Sequence, residues 1–245
     1  MRYAILSDVH SNLEAFQVVL SEIDRLGIDQ IICLGDLVGY NANPNECVQV
    51  FAERGIPTLM GNHDAAGCGL EEPIEFNPIA RAAILWTRQA LEPKQREFLQ
   101  ELPEQRNLGE QLRLVHGSLI HRDRYLSSHF DIMENIRRMK EAEPKIRILF
   151  FGHTHIQVAF ACEQDNLAMV SSPRFSIRQD NLYLINPGSV GQPRDQDPRC
   201  AFLVYDEDAQ TVEFIRLSYD IHACRDKIFS AGLPRELADR LHVGC

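Results

Sequence analysis

Eight residues of types that bind metal ions sit where apolar runs of this chain end. They are Asp8 and His10, Asp36, Asn62 and His63, His116, and His153 and His155. A carboxylate or imidazole at the carboxyl end of a buried strand is costly unless something pairs with it. Open α/β sheets present their chemistry at that edge. A lone buried histidine more often completes a hydrogen-bonded core than it binds metal. Two carboxylates, an amide and five imidazoles at one edge point instead to a divalent cation site. In an extended backbone, alternation would place Asp8 and His10 on one side with Val9 facing away, so that both reach the same ion. His153 and His155 repeat the spacing.

The elements that must position these residues follow from the hydrophobic pattern. Tyr3 to Ser7 reads as a short strand and Leu13 to Leu26 as an amphipathic helix, capped at Ser11-Asn12 and stopped by Gly27. The run Ile31-Ile32-Cys33-Leu34 reads as a buried parallel strand that Gly35 turns into Asp36. A helix from Asn43-Pro44 to about Arg54 follows, then a third strand from Ile56 to Met60 that ends on Gly61-Asn62-His63-Asp64. Asp64 is read as orienting His63 or as capping the next helix. Ile79 to Leu91 and Lys94 to Glu101 read as surface helices, and Asp131 to Ala142 as another amphipathic one. Leu112 to Val115 and Ile146 to Phe151 read as strands ending on His116 and on Gly152-His153-Thr154-His155. Beyond Gln157, short β-type runs separated by turns suggest a mainly antiparallel sheet, and two helices close the chain. No repeat or linker interrupts the pattern, so residues 1–245 are expected to form one domain.

Composition narrows the function classes. The chain has 245 residues, 44% hydrophobic and 24% charged, with a formal net charge of -10. An acidic protein is a poor match for long nucleic acids, which call for a basic surface. Seven cysteines without a CxxC pair argue against a disulfide framework or a thiolate zinc site. The amino terminus carries too short an apolar run for a signal peptide, and no stretch is long enough to cross a bilayer. A cytoplasmic location is expected, with no membrane partner and with a homo-oligomer open.

Taken in order, Asp8-x-His10, Gly35-Asp36, Gly61-Asn62-His63-Asp64, His116 and Gly152-His153-x-His155 resemble the motifs of the calcineurin-like metallophosphoesterases. The spacing is similar to the small, single-domain bacterial and archaeal branch, and the loop Asn186-Pro187-Gly188-Ser189 resembles that branch too. The likeness runs from residue 3 to about residue 205. It implies a metallo-dependent phosphatase fold in the α/β (α+β) class, a four-layer α-β-β-α sandwich of two mixed β-sheets flanked by helices. It also implies two divalent ions, with Asp8, His10 and His155 holding the first, Asn62, His116 and His153 the second, and Asp36 bridging both. Oxygen and nitrogen donors without thiolate suit manganese, iron, zinc or nickel rather than calcium. Two dications against two carboxylates leave a local charge of about +2, enough to hold a phosphate on an acidic protein.

The activity so implied is hydrolysis of a phosphomonoester or phosphodiester by in-line attack of a metal-bridging hydroxide. Asp36, His63 and Asp64 are the expected catalytic residues, His63 acting as general acid or as donor to the phosphoryl group. Asn62, His63, Tyr40 and Arg124 are the expected substrate contacts, with Arg81 and Arg194 as further candidates. Substrate choice is expected to lie in the segments Ala65 to Pro78 and Ile120 to Phe130. Protein phosphatases of this family carry a second acid and an arginine soon after the Gly-Asp motif. Here Gly39-Tyr40 stands in that stretch, which favours a small phosphate ester. Two alternatives are a nucleotide or dinucleotide phosphodiesterase or nuclease, and a non-catalytic metal-binding scaffold on the same fold. The full set of ligand types with His63 favours an enzyme over the scaffold.

Overall fold

The computed structural model describes all 245 residues. Strand β1 (Arg2–Leu6) and helix α1 (Leu13–Leu26) lead to β2 (Gln30–Cys33), which lies parallel to β1. The Asn12 side chain accepts from the Ala15 N–H to cap α1, and Gly27 ends it in the left-handed region at φ 61°. Helices α2 (Pro44–Arg54), α3 (Asn62–Cys68), α4 (Pro78–Ala90) and α5 (Pro93–Gln100) follow. Then come β3 (Gln105–Leu108), β4 (Leu112–Val115), α6 (His129–Ala142), β5 (Ile148–Phe150), β6 (Gln157–Glu163), β7 (Asn166–Met169), β8 (Arg174–Ser176) and β9 (Leu182–Pro187). The chain closes with β10 (Cys200–Asp206), β11 (Thr211–Leu217), α7 (Ile221–Ser230), α8 (Arg235–Asp239) and a 3-10 turn, Arg240–His242.

The strands form two mixed sheets, in the orders β2-β1-β10-β11-β8 and β3-β4-β5-β9-β6-β7. Alternation along β1 sends its side chains to two different cores. Tyr3 and Ile5 meet Leu114, Phe150 and Ile185 of the other sheet, while Ala4 and Leu6 pack under Phe16, Val19 and Phe51 of the α1 and α2 layer. On the far side Leu149, Phe151 and Leu184 pack against Ile132, Ile136 and Met139 of α6. This is the expected four-layer sandwich, and the carboxyl ends of β1, β2, β4 and β5 open toward one another.

Three local expectations are corrected. Ile56 to Met60 is not a strand; only Thr58 makes a bridge, to Cys33. Pro57 has no N–H to give a ladder, so the segment keeps two bonds to Cys33, while the N–H groups of Ile56 and Met60 go to the carbonyls of Phe51 and Pro103. The strands beyond Gln157 do not share one sheet. β9 runs parallel to β5, with Ile148 opposite Tyr183, while β10 and β11 extend the sheet of β1. Alternation identifies a strand but not its partner. The segment Ala65 to Pro78, expected to set substrate choice, is in part helical, since its first four residues belong to α3. The edge strands β3 and β8 were not legible, because they are short, polar and largely exposed.

Candidate metal centre

Five of the seven ligand-type residues have turned rather than extended backbones, and Asn62 opens α3. Strand β1 stops at Leu6, and the backbones of Asp8 and His10 are left-handed, at φ 57° and 47°. Asp36, His153 and His155 share that conformation, at φ 56°, 64° and 60°. The alternation expected to align Asp8 with His10 is therefore not what brings them together. Non-glycine residues in this region cost on the order of 1–3 kcal/mol each and persist only when their surroundings hold them. The holding bonds are visible. Asp8, His10 and Ser11 donate their N–H groups to the carbonyls of Gly35, Asp36 and Leu37 at 2.9, 2.9 and 2.8 Å, zipping the two loops together.

Asp64 is the clamp of this arrangement. Its Oδ2 accepts from the N–H groups of Asp36 (2.8 Å) and Gly61 (3.0 Å), and its Oδ1 from those of Leu37 (2.8 Å) and Val38 (3.2 Å). The carboxylate thus caps α3 and fixes the Asp36 loop, so of its two expected roles the structure favours the cap, and it makes no bond to the His63 ring. At Gly61 an added Cβ would lie 2.0 Å from Asp36 Oδ1, so only glycine lets the two loops approach this closely.

Each ligand presents one free atom inward and spends the other on the scaffold. Asp36 Oδ1 accepts the His63 N–H at 2.8 Å and Asp8 Oδ2 the His153 N–H at 3.1 Å, leaving Asp36 Oδ2 and Asp8 Oδ1 buried with no partner. His10 and His155 place Nδ1 2.9 and 2.6 Å from the carbonyls of Val38 and Gln192. His116 Nδ1 and His153 Nε2 lie 3.0 Å from the carbonyls of Leu34 and Asp123. A ring nitrogen facing a carbonyl carries the proton, so the opposite nitrogen offers its lone pair. His10 Nε2 therefore faces His155 Nε2 at 3.1 Å, lone pair against lone pair. His116 Nε2 faces His153 Nδ1 at 3.2 Å, with Asn62 Oδ1 at 3.3 Å. Asp36 Oδ2 lies 3.6 Å from His10 Nε2 and 3.3 Å from His116 Nε2.

These inward atoms fall into two groups that each could hold a metal ion: Asp8, His10, Asp36 and His155, and Asp36, His116 and His153. Ligands about 2.0–2.2 Å from a shared ion stand about 3.0–3.6 Å from one another, and the inward atoms here lie 3.1 to 3.8 Å apart where they face each other. The residues therefore fit divalent cations, and Asp36 belongs to both groups as expected.

The charges agree. Burial opposes ionisation of Asp8 and Asp36, but the imidazoles around them hold both well below the usual carboxylate range. Burial also opposes charge on His116, yet Asp36, Asp8 and Asp64 outweigh it and hold the ring up to about 9. Without a metal ion the ring then carries a second proton, on Nε2, and a cation would have to displace it to use the lone pair there. Burial keeps His10 neutral, lowers His153 to about 3 and, with the Arg194 charge, lowers His155. Burial and the Asp36 charge push Asp64 up to about 7, against its backbone donors.

His63 stands beside the first group, its ring 4.8 Å from that of His10 and packed between Tyr40 (4.4 Å) and Phe76 (4.7 Å). Its Nδ1 has no partner and lies against Gly39, where a Cβ would come within 2.4 Å. Burial lowers this ring to about 4. Tyr40 is also at the site, 4.6 Å from the His10 ring. Arg124 is not free to bind substrate as expected, because Asp131 and Glu134 take up its guanidinium at 2.9 and 2.7 Å. Arg81 is an exposed residue of α4. Tyr125, whose ring lies 4.0 Å from that of His153, was missed, since an isolated tyrosine in a polar loop carries no pattern.

Comparison with known proteins agrees with this geometry. The model of the calcineurin-like phosphoesterase superfamily domain matches residues 1–210. An uncharacterized protein of Methanocaldococcus jannaschii is 35% identical over 244 residues, covering 98% of this chain and 97% of its own. The crystal structure of a metallophosphoesterase from Sphaerobacter thermophilus is 35% identical with a TM-score of 0.83, covering 100% of this chain and 99% of its own. A hypothetical protein of Pyrococcus horikoshii shares the fold at 20% identity, with a TM-score of 0.82 and coverage of 100% and 98%.

Proposed function

The chain belongs to the calcineurin-like phosphoesterase superfamily, and on that premise we propose that it hydrolyses a small phosphate ester with two divalent transition-metal ions. Asp8, His10 and His155 would hold one ion and Asn62, His116 and His153 the other, with Asp36 common to both. Bound there, the ions would acidify a water between them and draw charge from the phosphoryl oxygens. The donor set suits manganese, iron, zinc or nickel. The observation that carries this reading is the pair of imidazole lone pairs facing each other at 3.1 Å beside two orphaned carboxylate oxygens. Without a cation between them that arrangement is repulsive.

The chain's own residues supply the rest. Four backbone carbonyls fix the four imidazole tautomers, and Asp64 holds Asp36 in its strained turn. His63, neutral at its lowered pKa, donates a hydrogen bond to the ester from the ring nitrogen that does not face Gly39. The negative charge of a bound ester raises that ring toward protonation and toward use as a general acid. Tyr40 walls the site beside it. The net charge of -10 and the absence of the acid–arginine pair after Asp36 favour small mono- or diesters over long nucleic acids and phosphoproteins.

The test is hydrolysis of chromogenic phosphate mono- and diesters by metal-free protein, with manganese, iron, zinc or nickel then added back. We expect metal-dependent turnover that falls about a thousandfold in Asp36→Asn. In His63→Ala turnover should fall while metal content stays. Metal-loaded, folded protein that turns over neither ester would overturn the reading and favour a non-catalytic scaffold.

A further inference from the structure

Most arginines around the site are neutralised by carboxylates. Arg122 pairs with Glu71 and Asp123, Arg124 with Asp131 and Glu134, and Arg216 with Asp195. Arg194 differs. No carboxylate of the chain comes within 4.0 Å of its guanidinium, although the protein as a whole is strongly acidic. The acid next to it in sequence is spent elsewhere, since Asp195 accepts from Arg216 and from the Gln157 N–H.

Arg194 is rooted in the candidate metal centre. Its backbone N–H donates to the His155 carbonyl at 3.1 Å, and the Gln192 carbonyl two residues earlier faces His155 Nδ1 at 2.6 Å. Its Nη2 reaches only neutral oxygens, the Tyr40 hydroxyl at 3.1 Å and Gln192 Oε1 at 2.9 Å. Its Nε is buried with no partner. The guanidinium lies 5.6 Å from the centre of the Tyr40 ring, and that ring lies 4.6 Å from His10 and 4.4 Å from His63. Its charge is felt by the rings of the site. Burial lowers His63 and His155, and the Arg194 charge acts in the same direction on both. Burial opposes the charge of Arg194 itself, while the phenols of Tyr40 and Tyr125 support it. The Tyr125 ring lies 4.0 Å from that of His153. Arg194 therefore stands between Tyr40, which flanks the first ligand group, and Tyr125, which flanks the second.

Holding Tyr40 and Gln192 in place needs donors but not a positive charge, and a partly buried charge without a counter-ion is costly. We propose that Arg194 binds the ester directly, its fork taking a phosphoryl oxygen, and that it makes the site prefer phosphomonoesters to diesters. A monoester phosphate carries about -1.5 to -2 at pH 7, whereas a diester carries about -1. An uncompensated guanidinium gains more from the first. The fork geometry matches phosphate oxygens, with Nε free to donate and the Tyr40 hydroxyl aiming Nη2. This inference names the ester class of the phosphoesterase reading, on which it rests for the reaction but not for phosphate binding.

The experiment has two arms. In the first, kcat/KM of the manganese-loaded protein is compared for an aryl phosphate and for the methyl diester of the same aryl phosphate. We expect a preference of about tenfold or more for the monoester. In Arg194→Gln that preference should fall about tenfold, mainly through the monoester KM, with the diester losing less. Arg194→Lys, which restores the charge without the fork, should recover part of it. A wild-type preference for the diester, or an Arg194→Gln protein that slows both esters alike, overturns the proposal. In the second arm, manganese-loaded protein is titrated calorimetrically with inorganic phosphate. Affinity should drop about tenfold in Arg194→Gln at equal manganese content. That drop upholds the anion site even if the wild type hydrolyses neither ester, in which case the phosphoesterase reading alone has failed. Metal-dependent turnover with phosphate affinity unchanged in the variant leaves that reading standing and overturns the role of Arg194. A loss of manganese that accounts for the weaker binding makes Arg194 a support of the ligand loop and also overturns the proposal.

Discussion

The ligand group around Asp8 and the group around Asn62 share Asp36 but are built from different materials. The first sets two carboxylates and two imidazoles around one point, with exposures of 0% for Asp8 and His10, 1% for Asp36 and 2% for His155. The second has only the shared carboxylate, two imidazoles and the neutral amide of Asn62, which is 9% exposed. Their supports differ as well. The first is stitched by backbone bonds between two loops of one sheet, Asp8 to Gly35 and His10 to Asp36. In the second, the His153 ring depends on the carbonyl of Asp123, in a loop pinned by the Arg122 ion pairs to Glu71 and Asp123. A cation at the first group would therefore be held by more charge on stiffer backbone. The second is completed by a loop and would be the weaker of the two.

Four substitutions test that contrast. The largest effect is expected from removing one ligand of each group. Asp8→Asn should weaken the tighter ion by about a hundredfold, and Asn62→Ala the weaker one by about tenfold, in chelator competition. Equal losses would erase the distinction. Gly39→Ala comes next. A methyl there displaces the His63 ring, so kcat should fall about thirtyfold while both ions stay bound. Loss of metal in that variant would mean that His63 is part of the first group's support. The smallest effect is Arg122→Gln, which frees the Asp123 loop. Affinity should drop about tenfold at the second group and remain unchanged at the first. A drop at both would show that the two groups stiffen each other.

The ligand positions were legible because metal chemistry restricts residue type, and each ligand follows an apolar run that reads as a strand even without knowing its partner. What carries the geometry was not legible. Nothing in Asp8-Val9-His10 announces a left-handed backbone, since the strain is supported by bonds to Gly35, Asp36 and Leu37 far along the chain. Asp64 could be read locally as a cap, but its three further bonds reach back 26 to 28 residues. Arg124 and Arg194 look alike as letters. One is quenched by carboxylates seven and ten residues downstream on α6, while the other meets Tyr40 across 154 residues. Only tertiary structure tells a spent arginine from a free one. The second sheet's order escaped for a related reason, because parallel pairing of β5 with β9 leaves no signal in either strand alone.

In the proposed centre Asp36 Oδ2 would face two cations. Anomalous diffraction from crystals grown with manganese or zinc tests it most directly. Two peaks flanking that oxygen are expected, the one at Asp8, His10 and His155 being the stronger at limiting metal. A single peak that leaves Asn62, His116 and His153 without an ion at saturating metal would contradict it.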